Sequence, residues 1–120
     1  MATELGKFLK KLRIDRGEVL KHMAEKLKVT SSFLSAVENG KKRMPSAWME
    51  TIIDLYELDE QKIIDFEKAI AKTEENVEMN ISNLPVPNKE IAVSFARKFQ
   101  DFDEIEIEQI RKIMEGAKRR

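Results

Sequence analysis

Residues 23–42 read MAEKLKVTSSFLSAVENGKK. Apolar residues recur at helical spacing on both sides of a short connection. These residues are Met23, Ala24, Leu27, Leu34 and Val37. Thr30 is a suitable N-cap for the second apolar run, and Gly40 is a suitable residue to end it. The pattern predicts two short helices, at about 18–27 and 31–38, joined by a tight turn.

The same periodicity predicts helices on either side of this pair. Residues 4–15 are predicted to form a first helix, which Gly17 ends, and residues 46–57 a fourth. A fifth helix is predicted to be capped by Asp59 and to run to about Glu75. Five helices therefore precede a change in composition.

Residues 77–89 read VEMNISNLPVPNK, and their two prolines and three asparagines indicate a linker. Asn88 is predicted to cap a sixth helix. Asp103 and Glu106 have the spacing of a capping box and are predicted to open a seventh helix.

The predicted fold class is all-α, because the chain has only 4 Gly, 3 Pro and hardly any alternating β-branched runs. We predict three parts: a five-helix domain at residues 1–75, a linker at 76–88 and a C-terminal helical hairpin at 89–117. A chain of 120 residues has no room for a large enzyme fold.

The composition excludes several kinds of site. The chain has no cysteine and one histidine, which excludes disulfides, thiolate zinc sites and a metal site with several histidines from one chain. No nucleophile has a His and Asp partner at suitable spacing, and no Gly-rich phosphate loop is present. We therefore expect no enzyme activity, no cofactor and no metal ion. No apolar run reaches the ~20 residues of a membrane span, and a cytoplasmic location is expected.

The charge is unevenly distributed although the net charge is +0. Residues 1–58 hold 11 Lys and Arg against 8 Asp and Glu, whereas residues 59–120 hold 11 against 14. The first half is thus suited to an anionic partner and the second half is not.

The second helix of the central pair has short side chains on its predicted outer face: Thr30, Ser31, Ser32, Ser35 and Ala36. Such a helix can lie deep in the major groove of double-stranded DNA. Asn39 and the basic loop of Lys41, Lys42 and Arg43 follow its C-terminal end, where phosphates would run. This arrangement predicts a helix-turn-helix that binds DNA.

Residues about 4–70 resemble the Cro/cI-type helix-turn-helix domain, also called lambda repressor-like or XRE. The resemblance is carried by LGKFLKKLRIDRG at 5–17, by the stretch at 23–42 and by Pro45, and its most specific part is FLSAVENGK at 33–41. It implies a compact bundle of five helices.

The resemblance also implies residue roles. Arg13 and Glu38 match positions that commonly form a structural ion pair. The positions that read bases correspond to Ser31, Ser32, Ser35 and Ala36. The positions near phosphates correspond to Thr30, Asn39, Lys41 and Arg43.

The chain departs from the family pattern at three places. Val19 and Leu20 replace a common Thr-Gln pair at the start of the second helix. Lys28 stands where the turn usually has glycine, and we expect it to adopt a left-handed conformation. The reading helix lacks the Gln, Asn or Arg that make bidentate base contacts, which leaves thymine methyl groups, water or DNA shape to be read.

The leading hypothesis is a sequence-specific DNA-binding transcriptional regulator, a repressor from a bacterium or prophage. It is predicted to act as a homodimer, with residues 60–117 carrying dimerisation. One alternative is an antitoxin whose C-terminal half clamps a toxin. Another is a helix-turn-helix fold used as a protein-interaction module.

Overall fold

The computed structural model describes residues 2–117, and every regular element in that range is helical. The α-helices are α1 (Glu4–Asp15), α2 (Leu20–Lys26), α3 (Ser31–Glu38), α4 (Trp48–Leu55), α5 (Glu60–Thr73), α6 (Val86–Lys98) and α7 (Glu104–Gly116). A short 3-10 helix, Phe99–Asp101, follows α6. The chain divides into an N-terminal unit, Met1–Met79, and a C-terminal unit, Asn80–Arg120.

The N-terminal unit holds five helices around one hydrophobic core. Helix α1 packs against α5, α3 and α2, and α2 packs against α3. The buried apolar residues come from all five helices and the loop before α4: Leu5, Leu9, Leu12, Met23, Ala24, Leu27, Leu34, Val37, Met44, Trp48, Ile52, Tyr56 and Phe66. Aromatic pairs extend this core, since Phe8 stacks on Phe66 at 5.0 Å and Phe33 meets Trp48 edge-on at 5.8 Å between ring centroids.

Helices α1 and α3 approach each other closely at Gly6. A Cβ atom at this position would overlap the backbone carbonyl of Glu38, so only glycine fits. The same carbonyl accepts hydrogen bonds from the backbone N–H of Thr3, at 3.0 Å, and from its hydroxyl, at 3.1 Å. The start of α1 is therefore tied to the end of α3.

Helices α1 to α4 all end in the same way, with a residue of positive φ just beyond the helix. These residues are Gly17 (φ 66°), Lys28 (φ 60°), Gly40 (φ 76°) and Glu57 (φ 49°). In each case the backbone N–H of the following residue donates a hydrogen bond to a carbonyl in the last turn of the helix, as in the Schellman motif. The predicted left-handed conformation of Lys28 is confirmed.

The predicted starts of several helices are confirmed. Thr30, Asp59 and Asp103 each cap the helix that follows, and Asp103 forms a capping box with Glu106. The predicted bounds 4–15 and 31–38 are those of α1 and α3. The other helices of the N-terminal unit are two to four residues shorter than predicted.

The predicted N-cap of the sixth helix is wrong. Helix α6 begins at Val86 with Pro85 as its N-cap, and Asn88 lies inside the first turn. The physical reason is Pro87, whose fixed φ suits the first helical turn and whose missing N–H has no intrahelical partner there in any case. The prolines thus begin a helix rather than extend a linker.

The C-terminal unit lacks a buried core in the part that the structure describes. None of residues 80–117 is buried. Phe95, Phe99 and Phe102 contact one another, with ring centroids 5.2–6.0 Å apart, yet the first two stay 37% and 48% exposed. A segment of about 40 residues with no core is too small to be stable alone.

Candidate nucleic-acid interface

Helix α3 presents one buried face and one accessible face. Leu34 and Val37 are buried in the core. On the other side Ser32 is exposed, and Ser31, Ser35 and Ala36 are half-buried. The accessible face therefore consists of short side chains, which allow another molecule to approach the helix backbone.

The N-terminal end of α3 is capped by Thr30. The Thr30 hydroxyl accepts a hydrogen bond from the Phe33 N–H at 3.0 Å. Ser31 and Ser32 follow with backbone N–H groups that have no partner within the helix. Within residues 2–117, the hydroxyls of these two serines make no hydrogen bond to the protein.

The turn between α2 and α3 is rigidly built. The Val29 N–H donates to the Ala24 carbonyl at 3.0 Å, and the Lys28 N–H donates to the Glu25 carbonyl at 3.1 Å. Ala24 is 2% exposed, and its small side chain lets the two helices pack closely. These contacts fix the angle at which α3 leaves α2.

The basic loop folds back over the C-terminal end of α3. The Lys41 N–H donates to the Ala36 carbonyl at 2.8 Å, and the Asn39 amide donates to the Ser35 hydroxyl at 3.3 Å. Lys41, Lys42 and Arg43 are exposed. Positive charge is therefore held beside the accessible face of α3.

The structure divides the predicted DNA-binding residues into two groups. One shallow concavity is lined by Leu20, Ser31, Ser32, Ser35, Ala36 and Lys41. Lys42 and Arg43 lie instead in a second depression, together with Gly40 and residues 73–76. Thr30 and Asn39 act as the caps at the two ends of α3.

Leu20 is a lining residue that the sequence analysis did not place at this surface. Its helical spacing to Ala24 and Leu27 is that of the apolar stripe of α2. In the structure one side of Leu20 packs against the core, as this spacing predicts. The family pattern, in which this position is usually Gln, was the signal that the other side of Leu20 lies at the candidate DNA-binding surface.

Acidic residues after α5 contact the basic loop. Arg43 forms an ion pair with Glu78, and the Met44 N–H donates to the Glu74 carboxylate at 3.3 Å. Glu75 lines the depression that holds Lys42 and Arg43. These carboxylates lower the positive potential at Arg43 in the free protein.

Arg13 and Glu38 form a buried, bidentate ion pair between α1 and α3. One bond joins Arg13 Nη2 to Glu38 Oε1 at 3.2 Å, and Nη1 donates to Oε2. Arg13 is 6% and Glu38 9% exposed. Arg13 Nη1 also lies 3.5 Å from the Met23 sulfur. The pair fixes α3 relative to the rest of the bundle.

Glu18 forms a second polar cluster that the sequence analysis missed. It accepts hydrogen bonds from Lys26 and, at 2.7 Å, from the Tyr56 hydroxyl. Lys26 Nζ and the Arg16 guanidinium lie 4.8 and 5.3 Å from the centroid of the Tyr56 ring. The cluster joins the two ends of α2 to the residue that follows α4.

The cluster shifts the pKa of two groups. Burial raises the pKa of Glu18, but the hydrogen bonds from Lys26 and Tyr56 and the charges of Lys26 and Arg16 outweigh it, so the pKa lies below its usual value. Burial, then the hydrogen bond to Glu18 and its charge, raises the pKa of Tyr56. Since the pKa of Glu18 is lower in the folded chain than its ordinary value of 4.5, its contribution to stability is present above that value and is lost as the pH falls through the folded pKa.

Comparison with protein families gives a match to the N-terminal unit. The family model described as helix-turn-helix domain matches residues 6–66, half of the chain, and the chain therefore belongs to this family. It is a family of DNA-binding domains rather than of enzymes, which indicates a DNA-binding regulator. No curated protein and no solved structure matches the chain.

Two further features are absent from the part of the chain that the structure describes. Among residues 2–117, no group of three or more His, Asp or Glu side chains is arranged to hold a metal ion. Within the same range no helix is both long enough and apolar enough to cross a membrane.

Proposed function

We propose that the protein is a sequence-specific transcriptional repressor of bacterial or prophage origin, with a DNA-binding domain of the Cro/cI type. The observation that carries the proposal is the concavity on α3, which has short side chains and lies beside the exposed Lys41 of the basic loop. This combination suits the edges of bases flanked by phosphates.

The residues divide by role. Ser31, Ser32, Ser35 and Ala36 face the bases, and they set the preference among sequences. Contacts to phosphate come from the two ends of α3 and the loop beyond it: Thr30, Asn39, Lys41, Lys42 and Arg43. Binding energy comes from neutralised phosphates, and register comes from Asn39 and the loop.

The protein acts as a homodimer in this proposal. Residues 1–75 bind DNA, the stretch that ends at Pro85 is the linker, and the hairpin of α6 and α7 pairs two copies. Support comes from the many apolar side chains that stay exposed on α6 and α7, among them Ile91 at 70%, Ile105 at 71% and Ile113 at 73%. A two-fold protein matches a two-fold operator. The site of action is the bacterial cytoplasm, where the DNA lies, and no cofactor is required.

Salt dependence tests the mechanism. With ~6 phosphate contacts per dimer, the affinity for a mixed-sequence duplex falls by roughly 10³ between 50 and 200 mM salt. Lys41→Gln and Arg43→Gln should weaken all sequences alike and flatten the salt slope by about one for each phosphate that is no longer neutralised. Lys68→Gln, an exposed lysine of α5, is the matched control and should leave the slope unchanged. A complex that is insensitive to salt contradicts the proposal.

A second candidate function is an antitoxin, which binds DNA with its N-terminal unit and clamps a toxin with the other. The exposed apolar surface of the C-terminal unit favours a protein partner as well as a second copy. A toxin-like reading frame beside the gene would support this function. A third candidate is an interaction module, which predicts a co-purifying partner together with no retention on DNA at low salt.

A further inference from the structure

The concavity on α3 is chemically unusual for a surface that reads bases. Its lining consists of three serines, one alanine, one leucine and one lysine. It contains no Asn, Gln or Arg, and Lys41, its one long donor, lies on the loop beyond α3 rather than on the helix itself. The Ser35 hydroxyl already accepts a hydrogen bond from Asn39. Hydrogen bonds from the serines of α3 therefore discriminate poorly among bases.

Leu20 is held firmly at the edge of this surface. It is the first residue of α2, and the turn around it is fixed by two bonds: the Val19 N–H donates to His22 Nδ1 at 3.1 Å, and the His22 N–H donates to the Val19 carbonyl at 3.0 Å. Leu20 is half-buried and packs against the core on its inner side. Its outer side lines the concavity.

Two apolar groups therefore lie in one lining, on two different helices. Leu20 comes from α2, and Ala36 comes from the second turn of α3. The major groove offers one apolar group that such a lining can recognise, the C5-methyl group of thymine. The rim is basic because Lys41 also lines the concavity, which suits a double-helical DNA partner.

We infer that Leu20 and Ala36 determine specificity by contacting thymine C5-methyl groups in the major groove. The inference rests on the proposed function, because it names what that DNA-binding surface reads. Selectivity then comes from burial of methyl groups rather than from bidentate hydrogen bonds. Burial of one methyl group corresponds to about fourfold in affinity, and to about fifteenfold when each half-site of a dimer contains one.

The test compares two random-sequence duplex libraries with the full chain. One library contains thymine, and the other contains uracil, which pairs identically but lacks the methyl group. We expect a sequence to be enriched from the thymine library and not from the uracil library, while bulk binding to both is equal at low salt. Recovery of the same sequence from both libraries overturns the inference. Bulk binding without enrichment from either library contradicts the sequence-specific function on which the inference rests, so only recovery from both libraries overturns the inference alone.

Binding to neither library at low salt would contradict the proposed function itself, so the two failures are distinguishable. A second measurement uses the recovered duplex with each thymine replaced by uracil in turn. We expect the decrease in affinity to be concentrated at one thymine in each half-site, at about fourfold for each replacement. An equal, small effect at every thymine would contradict a methyl contact.

Variants assign the contact to Leu20. Leu20→Ala should reduce the preference for thymine over uracil at that position to about twofold or less, and Leu20→Met should retain it. Val19→Ala is the matched control, since Val19 is an adjacent apolar residue that is 59% exposed and does not line the concavity. If Leu20→Ala keeps the full preference while Ala36→Gly also keeps it, the assignment to these residues is wrong.

Discussion

The two units of the chain differ in where their apolar side chains lie. In the N-terminal unit, residues from five helices meet in one core, and Phe66 is fully buried. In the C-terminal unit no residue among 80–117 is buried, and its helices keep most of their Ile, Val and Phe residues exposed. Apolar periodicity alone therefore predicts helices in both units, but it does not predict what packs against the apolar face of each helix.

Replacing a phenylalanine by alanine should have a large effect on stability in the N-terminal unit and a small one in the C-terminal unit. Phe66→Ala should lower the free energy of unfolding by about 3–5 kcal/mol, because it leaves a cavity in a packed core. Phe95→Ala should change unfolding of the N-terminal unit little and should instead weaken self-association. Urea unfolding and sedimentation at several protein concentrations measure the two effects. Equal losses of stability would contradict the division into a core and an interface.

The ion pair of the N-terminal unit gives an effect of similar size. Glu38→Gln leaves the buried Arg13 guanidinium without its charge partner and should cost about 3–5 kcal/mol. The double variant Arg13→Met with Glu38→Leu removes both charges and should unfold at a higher urea concentration than Glu38→Gln alone. If the double variant is the less stable of the two, the attraction between the two charges contributes more to the free energy of unfolding than their desolvation costs.

Glycine substitutions test how closely the backbones of neighbouring helices pack in each unit. Gly6→Ala places a Cβ atom against the Glu38 carbonyl and should cost about 1–3 kcal/mol. Gly116→Ala, at the end of α7, meets no atom within 4 Å and should have little effect. Thermal unfolding of the two variants measures the contrast. A neutral Gly6→Ala would show that α1 and α3 can separate without cost.

Lys28 tests the strain in the turn between α2 and α3. Lys28→Gly relieves a positive φ and should raise the free energy of unfolding by about 1 kcal/mol. Lys28→Ala is the matched control, because it removes the side chain but retains the strain, and it should gain nothing. A gain of the same size in both variants would assign the effect to the lysine charge rather than to the backbone.

The smallest expected effect concerns the acidic residues beside the basic loop. Glu78→Gln frees Arg43 from a half-exposed ion pair and should tighten DNA binding by about twofold to fivefold. Glu67→Gln makes the same change of net charge at an exposed site on α5 and should have less effect. Fluorescence anisotropy with a labelled duplex measures both. An unchanged affinity for Glu78→Gln would show that Arg43 does not contact phosphate.

Local signals in the sequence predicted much of the fold. Thr30, Asp59 and Asp103 are capping residues whose chemistry acts within one turn of helix, and their positions are confirmed. The start of α6 was missed because Pro87 reads as a breaker in isolation, although proline is well suited to a first helical turn. Pattern alone did not separate these two uses of proline.

The candidate site was less predictable than the fold. The serines of α3 could be assigned to an accessible face from helical spacing, but the partners of Arg43 could not. Glu78 lies 35 residues away in a stretch predicted as a linker, and Glu18 reaches Tyr56 across 38 residues. Such contacts depend on how the helices pack, which local periodicity does not encode.

We propose that the N-terminal unit reads DNA while the C-terminal unit pairs two copies. Selection of bound duplexes from a random library at moderate salt tests it most directly, because the shape of the enriched sequence reports both functions. We expect an inverted repeat whose half-sites are centred about one helical turn, ~34 Å, apart. A well-folded chain that enriches no sequence, or only a single unrepeated half-site, would contradict the claim.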